Sequence, residues 1–297
     1  MKKLLALLLA IVMIFCMVAC GSSDDDDDDD KKSSKKESSS KEEKEEKITF
    51  EETVIVDNDY LTFTINEIDP KGDWGYTLHI TAENKSEKDM DIYLRDTYIN
   101  DVGCNPVFYA ELPAGESLKD EISFMDDELE ACGVTSITKF EFTVYAFDPE
   151  DYVTEYAVEP YTIYPLGEDK AISQTREAGK DDIVLFDNQY GSMTIVDIDP
   201  DSFMGYAVTF YVENTTNQDY YCTFDTTWLN GEELNPWWGM DVAAGKRVYG
   251  TAYWYEEDLA ELGIDLDAVT ELKLAIELWD DDYDHIFEEE VVVNLSK

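Results

Sequence analysis

Residues 57–133 lie on residues 187–263 at a constant offset of 130 without a gap, and about a quarter of the columns are identical. Asp57-Asn58 falls on Asp187-Asn188, Ile68-Asp69-Pro70 on Ile198-Asp199-Pro200, and Gly75-Tyr76 on Gly205-Tyr206. Glu83-Asn84, Asn100, Pro106 and Ala114-Gly115 meet Glu213-Asn214, Asn230, Pro236 and Ala244-Gly245, while Leu129 and Gly133 meet Leu259 and Gly263. Two copies of one sequence must share one fold, so the common columns mark scaffold and the divergent ones mark where a role is to be sought. Each copy is long enough for a core of its own.

The dominant hydrophobic period within a copy is two. Leu61, Phe63 and Ile65 alternate with Thr62, Thr64 and Asn66, and Tyr76, Leu78, Ile80 and Ala82 alternate with Thr77, His79 and Thr81. Tyr206, Val208, Phe210 and Val212 follow the same rule, as do Leu272, Leu274, Ile276 and Leu278. Such alternation predicts half-buried antiparallel strands, and Asp69-Pro70, Asn84-Lys85-Ser86 and Asn230-Gly231 read as turns between them. Asp126 to Gly133 and Glu256 to Gly263 read as two-turn helices, with acids in the first turn and glycine just past the end. The expectation is an all-β chain of two tandem β-sandwiches, each with one short crossover helix, over residues 48–165 and 182–297, joined by a linker at 166–181.

The first 47 residues have another character. Lys2 and Lys3 precede an apolar run from Leu4 to Val18, too short for a span that needs about 20 residues. Met17-Val18-Ala19-Cys20 resembles the lipobox of bacterial lipoproteins, in which the cysteine is lipidated and becomes the mature N-terminus, with methionine here where the family usually has leucine. On that resemblance residues 1–20 are a lipoprotein signal peptide and Cys20 carries the anchor; an ordinary cleaved signal peptide is the alternative. Residues 21–47 hold the run Asp24 to Asp30 followed by Ser, Lys and Glu, without an aromatic or large aliphatic side chain, and are expected to be a disordered spacer.

A lipobox, a low-complexity linker and modules carrying Asn84, Ala114-Gly115 and Leu129 to Gly133, then Asn214, Ala244-Gly245 and Leu259 to Gly263, are together similar to the immunoglobulin-like lipoprotein domains of unknown function in Firmicutes. The resemblance implies immunoglobulin-like sandwiches and brings no catalytic set. The Cys…Trp…Cys pattern of antibody domains is absent from the sequence.

Charge narrows the possible partners. The chain has 22 Lys and Arg against 69 Asp and Glu, a net −47, and residues 48–168 and 181–297 carry −22 and −23 of it. That argues against nucleic acid, whose binding needs bases to neutralise phosphates. The catalytic inventory is thin: two histidines, His79 and His285, and no nucleophile elbow, zinc-protease, phosphate-loop or dinucleotide motif. Carboxylates are abundant enough that a hydrolase with paired acids in a cleft stays open. No cofactor is called for, but Asp280, Asp281, Asp282 and Asp284 form an acidic turn, matched by Asp148 to Asp151 in the first copy, where calcium is conceivable.

Cysteines and aromatics separate the copies. Cys104 and Cys132 both face leucines in the second copy, so a disulfide between them and two separately buried thiols are both open, whereas Cys222 reads as core. Of six tryptophans only Trp74 lies in the first copy. Trp254 and Trp279 replace Phe124 and Phe147 and are expected in the core. Of the adjacent pair Trp237-Trp238, one side chain should face outward, and with Tyr220 and Tyr221 it forms the candidate ligand surface. The expected function is that of a non-enzymatic lipoprotein, anchored in the cell membrane and facing the extracellular side. It would present two sandwiches to an extracellular protein or carbohydrate, with a carbohydrate-binding accessory protein as a second reading.

Overall fold

The computed structural model describes residues 48–295. Residues 1–47, with Cys20 and the segments expected to be a signal peptide and a disordered spacer, lie outside the described residues. The first lobe pairs β1 (Thr53–Asp57), β2 (Leu61–Gly72), β3 (Gly75–Asn84) and β7 (Ser117–Phe124) in one sheet. Facing it are β4 (Met90–Ile99), β5 (Val102–Gly103), β6 (Tyr109–Leu112), β8 (Phe140–Phe147) and β9 (Glu155–Ile163). The second lobe repeats this with β10 (Ile183–Asn188), β11 (Gly191–Ser202), β12 (Gly205–Asn214) and β16 (Arg247–Tyr255). Its other sheet contains β13 (Tyr220–Leu229), β14 (Glu232–Glu233), β15 (Gly239–Val242), β17 (Glu271–Trp279) and β18 (His285–Asn294). The architecture is the all-β sandwich that the alternation predicts, and the apolar faces named from it (Leu61, Phe63, Ile65; Leu272, Leu274, Ile276, Leu278) are fully buried. No helix among the described residues is long and apolar enough to cross a membrane.

The shared columns hold the lobes shut. Asn84 is buried at the end of β3, where its Nδ2 donates to Lys88 O at 2.8 Å and Leu112 O at 2.9 Å while its Oδ1 accepts from the backbone and hydroxyl of Ser86. Asn214 does the same with Gln218 O, Val242 O and Thr216. One amide thus ties a turn to the opposite sheet with its hydrogen-bonding capacity used, which explains the Asn-x-Ser/Thr spacing. The helices α1 (Asp126–Ala131) and α2 (Glu256–Glu261) end alike. Gly133 and Gly263 adopt φ of 68° and 73°, so that Val134 N reaches Leu129 O and Ile264 N reaches Leu259 O, the closure that favours glycine.

The lobes do not hang on a loose linker. Strand β5 of the first runs parallel to β16 of the second, Val102 opposite Arg247, and this seam fuses two sheets into one of nine strands. Gly103 lets the chains approach: a Cβ there would stand 3.0 Å from Val248 Cγ1. Tyr98 packs into the core of the second lobe and Tyr249 against that of the first. Asp101 Oδ1 lies 2.6 Å from both Lys139 Nζ and Lys246 Nζ, and Glu141 takes a further contact from each lysine. The segment expected to be a linker is docked as well, through Ile172 N to Thr138 Oγ1, Gln174 N to Asn100 O and Gln174 Nε2 to Cys132 O.

Burial alone would raise the Asp101 carboxyl, but the ammonium groups of Lys139 and Lys246 and the Ser173 hydroxyl hold it well below the usual carboxylate range. A folded pKa below the unfolded value, about 3.9, contributes stability that is complete above that value and is lost as pH falls toward the lowered one. Asp101→Asn is therefore expected to cost about 3 kcal/mol at neutral pH and clearly less in acid at roughly pH 3. Denaturant unfolding at the two pH values checks this; an equal loss at both would contradict it.

Candidate functional site

The outer face of the β15–β13–β17–β18 sheet gathers most of the residues singled out from the sequence. Cross-strand register lays two rows over it. One runs Gly239, Thr223, Glu277, Glu288, and the next runs Asp241, Tyr221, Trp279, His285. Directly paired residues share a face, so these eight positions look outward together.

Trp237 and Trp238 part as the alternation requires. Trp238 stacks on Phe224 at 4.4 Å and tilts against Phe210, anchoring the segment to the core, while Trp237 is 99 % exposed. The segment around them is braced. Thr223 Oγ1 donates to Trp238 O, and Asn235, in a shared column, accepts from Thr227 N at 2.7 Å. Tyr221 is 41 % exposed and lies across Gly239, where a Cβ would collide with its hydroxyl. Tyr220 is a correction: it is buried, only 2 % exposed, and leaves the surface set. Trp279 is another. It is half-buried on the outer face rather than in the core, unlike Trp254, whose indole is buried and donates to Leu234 O at 2.9 Å.

Beside the tryptophans lies a group that the sequence reading passed over. Glu277 is buried although it lies on the outer face, and Trp279 Nε1 donates to its Oε2 at 3.0 Å. His285 Nε2 stands 3.6 Å from Glu277 Oε1, and Glu288 faces Glu277 across the strands. A register shift between Leu278 and Trp279 brings His285 there, because it turns Ile286 and Phe287 both toward the core. Nothing in the local sequence announces a bulge at this point; the presence of one of only two histidines beside the acidic hairpin was the available signal.

The acidic turns use their carboxylates on themselves. Asp280 Oδ1 accepts from Asp282 N at 3.0 Å and Asp284 N at 2.9 Å, while Asp281, Asp282 and Asp284 are exposed. In the first lobe Asp148 is buried against Lys88 Nζ at 2.6 Å, and backbone hydrogen bonds from Thr154 and Val153 hold the Asp151 carboxyl down at about 2. At the inner end of the tryptophan face, burial first and then the charges of Asp96, Asp281 and Asp219 push Asp241 up.

Cys104 and Cys132 come together as buried free thiols in hydrogen-bonding contact, and Cys222 is separately buried. The contact raises the Cys104 thiol and, by donating to Cys132, lowers the other. An open cleft of about 330 Å³ runs beside the seam between Asp96, Tyr98, Glu141, Tyr161 and Lys246. Its Glu141 is held by two ammonium groups, which leaves it poorly placed to act as one of a free acid–base pair.

No protein-family model matches the chain, and no curated protein matches it. Among solved structures, the YadV chaperone aligns at 9 % identity over 73 % of this chain and 92 % of its own, with a TM-score of 0.23. The Salmonella enterica SafA pilin–SafB chaperone complex aligns at 10 % identity over 73 % and 89 %, with a TM-score of 0.21. The exo-chitosanase CsxA of Amycolatopsis orientalis aligns at 11 % identity over 77 % of this chain but 26 % of its own, with a TM-score of 0.20. At such values the ligands and activities of those proteins remain their own.

The two tryptophans are expected to behave oppositely in stability. Trp238→Ala removes the ring stacked on Phe224 and should cost about 3 kcal/mol, whereas Trp237→Ala should stay within about 0.5 kcal/mol. Equilibrium unfolding of both variants checks the assignment of inner and outer faces.

Proposed function

We propose that this chain is a non-enzymatic lipoprotein, anchored through Cys20 on the extracellular side of the cell membrane, that presents the outer face of its second lobe to an extracellular carbohydrate or protein. The observation that carries the reading is Trp237, fully exposed on a segment braced by Trp238, Thr223 and Asn235. A large apolar ring held rigidly in water has no folding role there, and its flat face suits a sugar ring or a partner's side chain. Tyr221 extends the surface, and the carboxylates around Asp241 favour a neutral or cationic ligand over an anionic one. The fused seam supports the same reading, since it orients this face of the second lobe against the first.

Binding on a glycan array, or to extracellular protein from the producing cells, is expected for the full chain and is expected to fall at least about tenfold in Trp237→Ala, a hot-spot loss. Unchanged binding in that variant would remove the surface assignment. Address and redox state are read by one measurement on protein extracted from membranes. Peptide mass spectrometry without reductant should find an N-terminal Cys20 carrying a diacylglyceryl group and Cys104 linked to Cys132, as an oxidising exterior favours. An unlipidated Cys20 would refute the anchor, and two alkylatable thiols would refute the link.

A further inference from the structure

We propose that Glu277, His285 and Glu288 form a binding site for a first-row divalent transition ion, with zinc the best fit. One nitrogen and two carboxylates each place a ligand atom within 4.8 Å of the others. Zinc holds its ligands at about 2.0–2.2 Å and therefore roughly 3–4 Å from one another. The 3.6 Å between His285 Nε2 and Glu277 Oε1 already meets that spacing, and Glu288, on the exposed side, closes the set by a change of rotamer.

Electrostatics asks for a cation at this point. Carboxylates directly opposite one another on paired strands repel, and Glu277 is nine-tenths buried, where an uncompensated charge is costly. The base on the same strand, Lys273, is engaged elsewhere, with Glu290 at 3.0 Å and over the Trp228 ring. Trp279 completes the design: its Nε1 holds Glu277 Oε2 and so aims Oε1 at His285, as an outer-shell donor orients a metal ligand.

The first lobe offers an internal comparison. Strand pairing places Tyr145, Glu155 and Val158 where the second lobe has Glu277, His285 and Glu288. Two of the positions, tyrosine and valine in the first lobe, are carboxylates in the second, and the third has histidine in place of a carboxylate. Three protein ligands of this kind leave a position open for water or for a ligand group. Calcium, which takes six to eight oxygens, is poorly served. The inference does not depend on what Trp237 binds.

Isothermal titration of the full chain with zinc chloride is the test, with Trp279 fluorescence as a second readout because its ring abuts His285. One equivalent should bind. His285→Ala and Glu288→Gln, both changes of exposed side chains, should weaken it about a hundredfold or more, and Trp279→Phe about tenfold. The double variant Asp281→Asn, Asp282→Asn should bind as the parent does, and calcium should not compete. Absence of a one-equivalent zinc event, binding indifferent to His285→Ala, or loss in the Asp281, Asp282 variant would each overturn the assignment.

Discussion

Two bodies carrying −22 and −23 have been fused into one, and the arrangement depends on where the few bases go. Among the four lysines and arginines of residues 181–297, Lys246 and Arg247 stand adjacent at the start of β16, where the second lobe meets the first. Lys246 crosses to Asp101 and Glu141; Arg247 pairs Glu213 within its own lobe and reaches Ser173 of the connector. Lys139 answers from the first lobe, and Arg176 clamps the connector to Asp182. These pairs are largely out of solvent, where attraction is screened less than at the surface. Cationic side chains are thus concentrated at the contact that like charge would otherwise oppose.

The seam is built from columns that the copies do not share. The counterpart of Asp101 is Gly231, and that of Lys246 is Glu116. Lys139 and Glu141 correspond to Glu271 and Lys273, the same pair in reverse order, through the matching hydrogen bonds of Asn100 and Asn230 to Lys139 O and Glu271 O. A heterologous contact between like modules is open-ended unless something closes it. Here the outer ends carry a different set, glycine in place of Asp101 and glutamate in place of Lys246, so they do not offer the lysine–aspartate pair that made the inner contact.

What was legible in the sequence follows from the same division. Strand faces, the asparagine clamps and the capped helices are local or periodic devices, and duplication displayed each of them twice. The outward turn of Trp237 was legible because adjacent residues on an extended chain must part. Trp279 was misplaced because its counterpart, Phe147, is buried. In the first lobe Tyr93, Tyr145 and Tyr152 pack rings around Phe147, whereas the second lobe has Thr223 and Glu277 at the positions of the first two, so the indole stays at the surface. Tyr220 was misplaced through a strand phase that register alone determines. The ligand-like trio was invisible because it needs a bulge, a cross-strand pairing and a hairpin at once.

The two outer faces now contrast in chemistry. The first lobe fills its face with rings from Tyr93, Tyr145 and Phe147, with the Arg95 guanidinium 4.2 Å above Tyr145, an arrangement satisfied by its own atoms. The second lobe, on the same backbone, replaces the central ring by a buried carboxylate, opposes it with another carboxylate, and lifts one indole clear of the surface. Burying an acid costs stability, and exposing a tryptophan gains none. The duplicated fold keeps the satisfied version of this face in one copy and departs from it in the other, and the needs of folding do not account for the departure.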